Sequence, residues 1–160
     1  EANLDSAEEL PKFNFFDNQS PIYTHARYLP ASKIVSSRIE KGVVSDGCII
    51  INAAITRSLI GLRSRIQEGA VITDSILMGQ DYYETDEQAA AAAVRGLPRI
   101  GIGRDARIEK TIVDKNARIG DNVRISPAGK PLDFDGDGFF IRGGIVVIPK
   151  GGVVPSGTII

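Results

Sequence analysis

The sequence predicts an all-β protein: a parallel β-helix of hexapeptide repeats, with an extended N-terminal connector and one short helical insertion. Three observations predict this fold. Aliphatic residues recur every six positions from Ile34 onward, small or turn-forming residues fall between them, and an alanine run at positions 89–93 interrupts the period. A period of six is too short for a repeat of two helices, and it differs from the alternation of an ordinary strand.

The period is clearest in three blocks of sequence. The aliphatic positions are Val43, Ile49, Ile55, Ile60, Ile66, Ile72 and Met78 in the first block, Ile102, Ile108, Val113, Ile119 and Ile125 in the second, and Ile148, Val154 and Ile160 in the third. Turn-forming residues such as Glu68-Gly69-Ala70 separate them, so each unit is interpreted as a short strand and a tight corner. Stacked units place one aliphatic side chain each inside a prism, so every coil depends on its neighbours for burial.

The segments outside the period divide the chain. Residues 1–33 contain aromatic residues and prolines without any repeat, which indicates a connector, and residues 34–160 form the predicted β-helix domain. The start of the chain has neither an initiator methionine nor an apolar stretch. We therefore expect the chain to be part of a longer one.

Two interruptions lie within the β-helix domain. In residues 79–99, Thr85 and Gln88 have the spacing of a capping box before the alanine run, while Gly96 and Pro98 are positioned to end a helix. Residues 126–144 are rich in glycine and aspartate, so we predict a surface loop there.

Composition excludes several classes of function. Nineteen basic and twenty acidic residues give a net charge of −1, which offers no general attraction to nucleic acid or to membranes. We expect neither as a partner, and no apolar run is long enough to span a bilayer. The single Cys48 cannot form an intrachain disulfide, which favours a reducing compartment.

Basic residues at the predicted corners are the first candidates for a binding site. They are Arg104, Arg107, Lys110, Lys115, Arg118, Arg124 and Lys150. Because stacked strands lie about 5 Å apart, corner cations distant in sequence can converge on one phosphate or carboxylate. The alternative for most of them is a solvated surface on which cations alternate with acidic residues.

His25, the only histidine, bears on a second interpretation. Many hexapeptide-repeat proteins are acyltransferases that use a histidine between coils as a general base. His25 precedes the repeats, so a base there would lie off the prism.

Other chemistry receives little support from the sequence. The acidic segment 133–138 resembles the start of a twelve-residue calcium-binding loop. Counted from Asp133, however, the twelfth residue is Gly144 instead of a bidentate glutamate. Ser32, Ser36, Ser45 and Cys48 lack a histidine nearby in sequence to activate them. A glycine-rich phosphate-gripping loop with carboxylates for Mg²⁺ is also missing from the pattern. We predict neither a catalytic residue nor a metal site in this chain.

Five ordered motifs closely resemble one enzyme family over essentially the whole chain. They are residues 23–30 (YTHARYLP), 61–64 (GLRS), 78–85 (MGQDYYET), 100–103 (IGIG) and 113–120 (VDKNARIG). The chain resembles the C-terminal left-handed β-helix of ADP-glucose pyrophosphorylase (glucose-1-phosphate adenylyltransferase) of plants, algae and cyanobacteria. The hand of the helix is taken from this resemblance, and the connector is expected to lead from a nucleotidyltransferase domain absent from the chain.

The resemblance implies a regulatory and oligomerising role. Such enzymes make ADP-glucose and pyrophosphate from ATP and glucose 1-phosphate for starch or glycogen synthesis, with Mg²⁺ in the catalytic domain, so this chain alone is expected to be inactive. In similar enzymes 3-phosphoglycerate activates and phosphate inhibits. The residues that match their anion-binding positions are Lys115, Lys150, Arg27 and His25.

The resemblance also implies partners and a location, and two other hypotheses stay open. The expected partners are the enzyme's own catalytic domain, other subunits of a tetramer, and the two effectors, in the plastid stroma or, for a bacterial protein, the cytoplasm. The other hypotheses are a stand-alone hexapeptide-repeat acyltransferase and a purely structural assembly domain.

Overall fold

The computed structural model describes residues 2–160, and within them the chain folds mainly into short parallel strands. The two helices are α1 (Ala2–Asp5) and α2 (Asp86–Val94). The strands are β1 (Lys33–Val35), β2 (Arg38–Val44), β3 (Ile49–Ile51), β4 (Ala54–Ile60), β5 (Arg65–Ile66), β6 (Val71–Thr73), β7 (Ile76–Leu77), β8 (Gly101–Ile102), β9 (Arg107–Glu109), β10 (Thr111–Val113), β11 (Arg118–Ile119), β12 (Arg124–Ile125), β13 (Phe134–Asp135), β14 (Phe140–Arg142), β15 (Ile145–Ile148) and β16 (Val153–Val154).

Three ladders of aliphatic side chains form the inner faces of a triangular prism. Strand pairing aligns Ile34, Ile50, Ile66, Ile102, Ile119 and Val154 in the first ladder, Ile39, Ile55, Ile72, Ile108 and Ile125 in the second, and Val44, Ile60, Leu77, Val113 and Ile148 in the third. From Ile50 onward the members are buried, whereas Ile34 in the first coil is 45% exposed. The predicted parallel β-helix with an axial core is thus confirmed.

The corners of the prism require unusual backbone conformations. At the corner between the second and third ladders, the left-handed region is occupied by Lys41, Arg57, Asp74 and Lys110, with φ between 45° and 50°. Strands β2 and β4 run through this corner, so each takes part in two faces of the prism.

The predicted core positions are correct in the second and third blocks but wrong by one residue at three places in the first. Val43 is 39% exposed, Met78 is 45% exposed and Ile49 is half-buried. The interior positions there are Val44, Leu77 and Ile50. Each lies in a run of adjacent aliphatic residues, so the spacing alone does not choose which member faces inward. The conformation of the preceding or following corner makes that choice.

Helix α2 begins and ends where the sequence predicts. The Thr85 hydroxyl accepts from the Gln88 backbone N–H at 3.2 Å, and the Gln88 side chain accepts from the Thr85 N–H at 2.9 Å. At the other end Gly96, with φ of 72°, donates to Ala93 and the following N–H of Leu97 donates to Ala92.

Residues 126–144 differ from the predicted surface loop. They contain an antiparallel hairpin of β13 and β14, and β14 continues the sheet by pairing antiparallel with β15. Ile141 is fully buried, and Phe139 packs on the core. The glycines and aspartates mark the turn of the hairpin, but the short apolar run that follows them forms a strand because β15 offers it a free edge.

The connector is held to the prism near both of its ends and is mostly exposed between them. Near its start Ala7 is buried, and Glu8 pairs with Lys41 at 2.8 Å. The Pro30 carbonyl accepts from the Gly47 N–H at 2.9 Å, which joins the connector to the first coil. Leu10, Phe16, Tyr23 and Tyr28 are each at least 90% exposed. Among residues 2–160 we find no helix of the length and apolarity that crossing a membrane needs.

Candidate anion-binding site

Lys115 and Lys150 lie on successive coils at the corner between the third and first ladders. Their backbones are stacked, because the Gly151 N–H donates to the Lys115 carbonyl at 2.9 Å and the Asn116 N–H donates to the Gly79 carbonyl at 3.1 Å. Lys115 and Lys150 are 35 positions apart in the sequence, but their backbones are separated by only one coil spacing of about 5 Å. The structure brings together two of the four predicted anion-binding residues.

Both lysines converge on the carboxylate of Asp81. The Lys115 Nζ donates to Oδ1 at 2.8 Å, and the Lys150 Nζ lies 3.0 Å from Oδ2. Asn116 holds the aspartate by donating from Nδ2 to Oδ2 at 3.0 Å and by accepting from the Asp81 N–H at 2.8 Å. We name these four residues, Asp81, Lys115, Asn116 and Lys150, the lysine corner.

The lysine corner is accessible to solutes. The side chains of Lys115 and Asp81 are each 36% exposed, and that of Lys150 is 60% exposed. The hydrogen bond from Lys115, followed by those from Lys150 and Asn116, holds the pKa of the Asp81 carboxyl well below its usual range. Asp81 therefore remains ionised in neutral and mildly acidic solution.

Arg27 and His25 lie on the connector, outside the prism. Both are exposed, and within the described part of the chain neither takes part in a side-chain hydrogen bond or an ion pair. Four backbone hydrogen bonds between successive coils lead along the same corner from Pro30 to the coil of Lys115. At the usual spacing of strands, this separates Pro30 from Lys115 by about 19 Å. Their membership of the anion site stays a prediction. His25 also does not lie between coils, where the acyltransferase hypothesis requires a general base.

Glu84 fixes the insertion that carries Asp81. Its side chain is only 3% exposed, and its Oε2 accepts from the Ile100 N–H at 3.0 Å. Its Oε1 forms an ion pair with Arg118 Nη2 at 2.6 Å, and Arg99 Nε lies 3.8 Å from Oε2. Arg118 also donates to the Pro98 carbonyl. This buried network ties residues 79–99 to the coil of β11.

Asp81 and Glu84 are functional candidates that the sequence did not single out. Both lie within the motif at 78–85, but the spacing gave no reason to connect them with Lys115 or Arg118. Gly79 lies at the same corner as Lys115, one coil earlier in the prism. Counting one coil back along the repeat would therefore have pointed to Gly79 and to its near neighbour Asp81. The remaining corner cations, Arg104, Arg107, Lys110 and Arg124, are exposed, as expected for a solvated surface.

The structure offers little for metal or nucleophilic chemistry. Among residues 2–160, no three histidine, cysteine, aspartate or glutamate side chains come together in a group suited to a metal ion. Cys48 is 1% exposed, and burial raises the pKa of its thiol. A buried, protonated thiol of this kind is inert.

Comparison with known proteins places the chain in a family. The model of the GLGC left-handed parallel beta-helix domain matches residues 27–159. The chain belongs to this family. The left-handed winding of the β-helix, taken from the resemblance, is therefore confirmed, as is the resemblance itself.

A curated relative extends the comparison beyond the family model. The chain is 45% identical over 162 residues to the glucose-1-phosphate adenylyltransferase small subunit, chloroplastic/amyloplastic, of Triticum aestivum. The alignment covers 99% of this chain and 34% of the wheat protein. The GLGC β-helix domain described here thus spans about a third of the length of that relative.

Proposed function

We propose that this chain is the regulatory and oligomerisation domain of a glucose-1-phosphate adenylyltransferase. The whole enzyme would form ADP-glucose and pyrophosphate from ATP and glucose 1-phosphate, for starch or glycogen synthesis. Catalysis, with its Mg²⁺, is assigned to a nucleotidyltransferase domain outside this chain. The identity to the wheat small subunit supports this proposal, and the plastid location in that protein's name supports the stroma as the location, with a bacterial cytoplasm as the alternative.

The observation that carries the regulatory part is the convergence of Lys115 and Lys150 on one carboxylate. Two ammonium groups on adjacent coils of a rigid scaffold can form charge-assisted hydrogen bonds to one small anion. Asp81 shows that the spacing between them suits a carboxylate. We propose 3-phosphoglycerate and phosphate as the effectors that bind there, with Arg27 and His25 contributing from the connector.

The assembly part is supported by exposed apolar surface on the connector. Leu10, Phe16, Tyr23 and Tyr28 are exposed, and the cores of protein–protein interfaces are enriched in aromatic residues. We propose that the catalytic domain and other subunits of a tetramer cover them.

Titration calorimetry of 3-phosphoglycerate, at low salt, tests the effector site. Lys115→Ala and Lys150→Ala should each weaken binding by about tenfold, because a hydrogen bond to a charged group contributes ~1.5–3 kcal/mol. Lys33→Ala, which removes an exposed lysine from β1, is the matched control and should leave the affinity unchanged. Equal losses in all three variants would mean that only general charge matters. An absence of binding to the unmodified chain would contradict a complete effector site in this domain.

Replacement of the Asp81 carboxylate should strengthen effector binding, whereas replacement of either lysine should weaken it. Asp81→Asn should tighten 3-phosphoglycerate binding by about tenfold, since the carboxylate no longer competes for two ammonium groups and exposed ion pairs contribute at most ~1 kcal/mol each. Asp137→Asn makes the same change of charge on the exposed 126–144 segment and should have little effect. Weaker binding to Asp81→Asn would show instead that Asp81 holds the lysines in position for the effector.

A further inference from the structure

Aspartate is followed by glycine at three places in the chain, positions 46–47, 135–136 and 137–138. Such a pair is open to a rearrangement of the main chain, because glycine has no side chain to hinder attack by its backbone nitrogen on the aspartate carboxyl. The two groups can meet only if the carboxyl group is free and the peptide unit between the residues can turn. The structure distinguishes the three pairs by these two requirements.

The peptide unit between Asp46 and Gly47 is held on both sides. The Asp46 carbonyl accepts from the Arg63 N–H at 3.1 Å, and the Gly47 N–H donates to the Pro30 carbonyl at 2.9 Å. Gly47 is buried, and the Tyr83 hydroxyl donates to its carbonyl at 2.9 Å. The Gly47 nitrogen therefore turns toward the aspartate carboxyl only if the contacts that anchor the connector break.

Both reacting groups of the second pair are already engaged. The Asp135 carboxylate forms an ion pair with Arg142 across the hairpin. The Gly136 N–H donates to the Phe139 carbonyl at 2.9 Å, and the Phe139 ring lies so close to Gly136 that a side chain there would overlap it. The carboxylate and the nitrogen must both leave these contacts before they can meet.

The third pair, Asp137 and Gly138, lies at the tip of the hairpin and has neither constraint. Both residues are exposed. Within residues 2–160 the Asp137 side chain takes part in no hydrogen bond or ion pair, and neither the Asp137 carbonyl nor the Gly138 N–H is hydrogen-bonded. A methyl group at Gly138 would meet nothing closer than 4.0 Å beyond its chain neighbours, so there is space for a ring. Free backbone groups and few packed contacts characterise segments that change conformation readily.

We propose that Asp137 is a site of spontaneous isoaspartate formation in the folded chain. The Gly138 nitrogen attacks Cγ of Asp137, and water leaves with a carboxyl oxygen and the amide proton, which closes a succinimide ring. Water then adds to the ring. Cleavage of the bond from nitrogen to Cγ restores aspartate, whereas cleavage of the bond from nitrogen to the main-chain carbonyl carbon gives isoaspartate. The net reaction is an isomerisation, with no change of mass and no oxidant or reductant.

The isomer presents a chemical group that the unmodified hairpin lacks. Its main chain runs through Cγ, which lengthens the tip by one atom and leaves the α-carboxylate of residue 137 free. The tip tolerates this change because it is exposed, while Ile141 on the neighbouring strand remains buried. A free α-carboxylate within a chain is the group that isoaspartyl methyltransferases methylate, with S-adenosylmethionine as the methyl donor. The partner that fits the modified tip is therefore a carboxyl methyltransferase of this class.

Incubation of the whole chain in neutral buffer, followed by mapping of its aspartates, tests the proposal. The endoproteinase Asp-N cleaves before aspartate but not before isoaspartate, and an isoaspartyl methyltransferase with labelled S-adenosylmethionine measures the total. Cleavage before Asp137 should decline with time as methyl labelling rises, whereas cleavage before Asp46 and Asp135 should persist. An equal decline at all three positions, or unchanged cleavage before Asp137, would overturn the proposal.

Two matched variants locate the methyl labelling. Asp137→Glu should lose most of it, because a glutamate side chain has to close a larger ring, which forms more slowly. Asp46→Glu makes the same substitution at a pair whose peptide unit is held, and should keep the labelling of the unmodified chain. Urea midpoints of both variants show that they are folded. Labelling that survives in Asp137→Glu would place the isoaspartate elsewhere and reject the site.

The denatured chain separates the effect of the fold from that of the local sequence. In guanidinium chloride the three pairs should form isoaspartate at similar rates, since the hydrogen bonds and the ion pair that hold positions 46–47 and 135–136 are lost. Slow reaction at those two pairs in the denatured chain would show that their sequence neighbours protect them, and would contradict the structural basis of the proposal.

Discussion

Glu84→Gln is expected to lower the free energy of unfolding by about 3 kcal/mol, because breaking a buried ion pair leaves an uncompensated charge. The carboxylate is 3% exposed and contacts both Arg118 and Arg99. Glutamine has nearly the same shape and can still accept from the Ile100 N–H. The substitution therefore isolates the negative charge that balances two arginines.

Asp86→Asn is the matched control for this prediction. Asp86 also pairs with Arg99, at 2.9 Å, but its side chain is 95% exposed. An exposed pair contributes about 0–1 kcal/mol, so the control should lose less than that. Urea denaturation of both variants makes the comparison. Equal small losses would show that solvent screens the Glu84 network and that the insertion is held by its backbone hydrogen bonds instead.

The second large effect is expected on the axis of the prism. Ile108→Ala should cost about 2–5 kcal/mol, because the side chain is replaced by a cavity between two neighbours that cannot move together. Ile108 is 1% exposed and lies in the second ladder between Ile72 and Ile125. Each coil of a solenoid is stabilised mainly by its neighbours, so the loss affects the coils on both sides.

Ile159→Ala provides the control for the axial prediction, since Ile159 is 76% exposed. It should change stability by less than about 0.5 kcal/mol. The urea midpoint measures the difference if the slope of the transition is the same in both variants. A lower slope in Ile108→Ala would indicate that the two halves of the prism unfold separately, and equal midpoints would contradict an axial core.

The sequence by itself determined the repeat, most of the core and the helical insertion. Every coil of this fold contributes one inward side chain to each face, so the spacing of Ile102, Ile108 and Val113 translates directly into three ladders. The capping box of Thr85 and Gln88 and the final turn at Gly96 were also predictable, because local hydrogen bonds determine both ends of the helix.

Tertiary structure decided the details that depend on neighbours. Val43, Ile49 and Met78 are adjacent to equally apolar residues, and the conformations of the corners choose which residue faces inward. The hairpin within residues 126–144 forms because the edge of β15 is free to pair with it. The lysine corner and the Glu84 network form because the insertion returns to the prism. That return places Asp81 against lysines 34 and 69 positions further along the chain, and this contact depends on how the insertion packs on the prism.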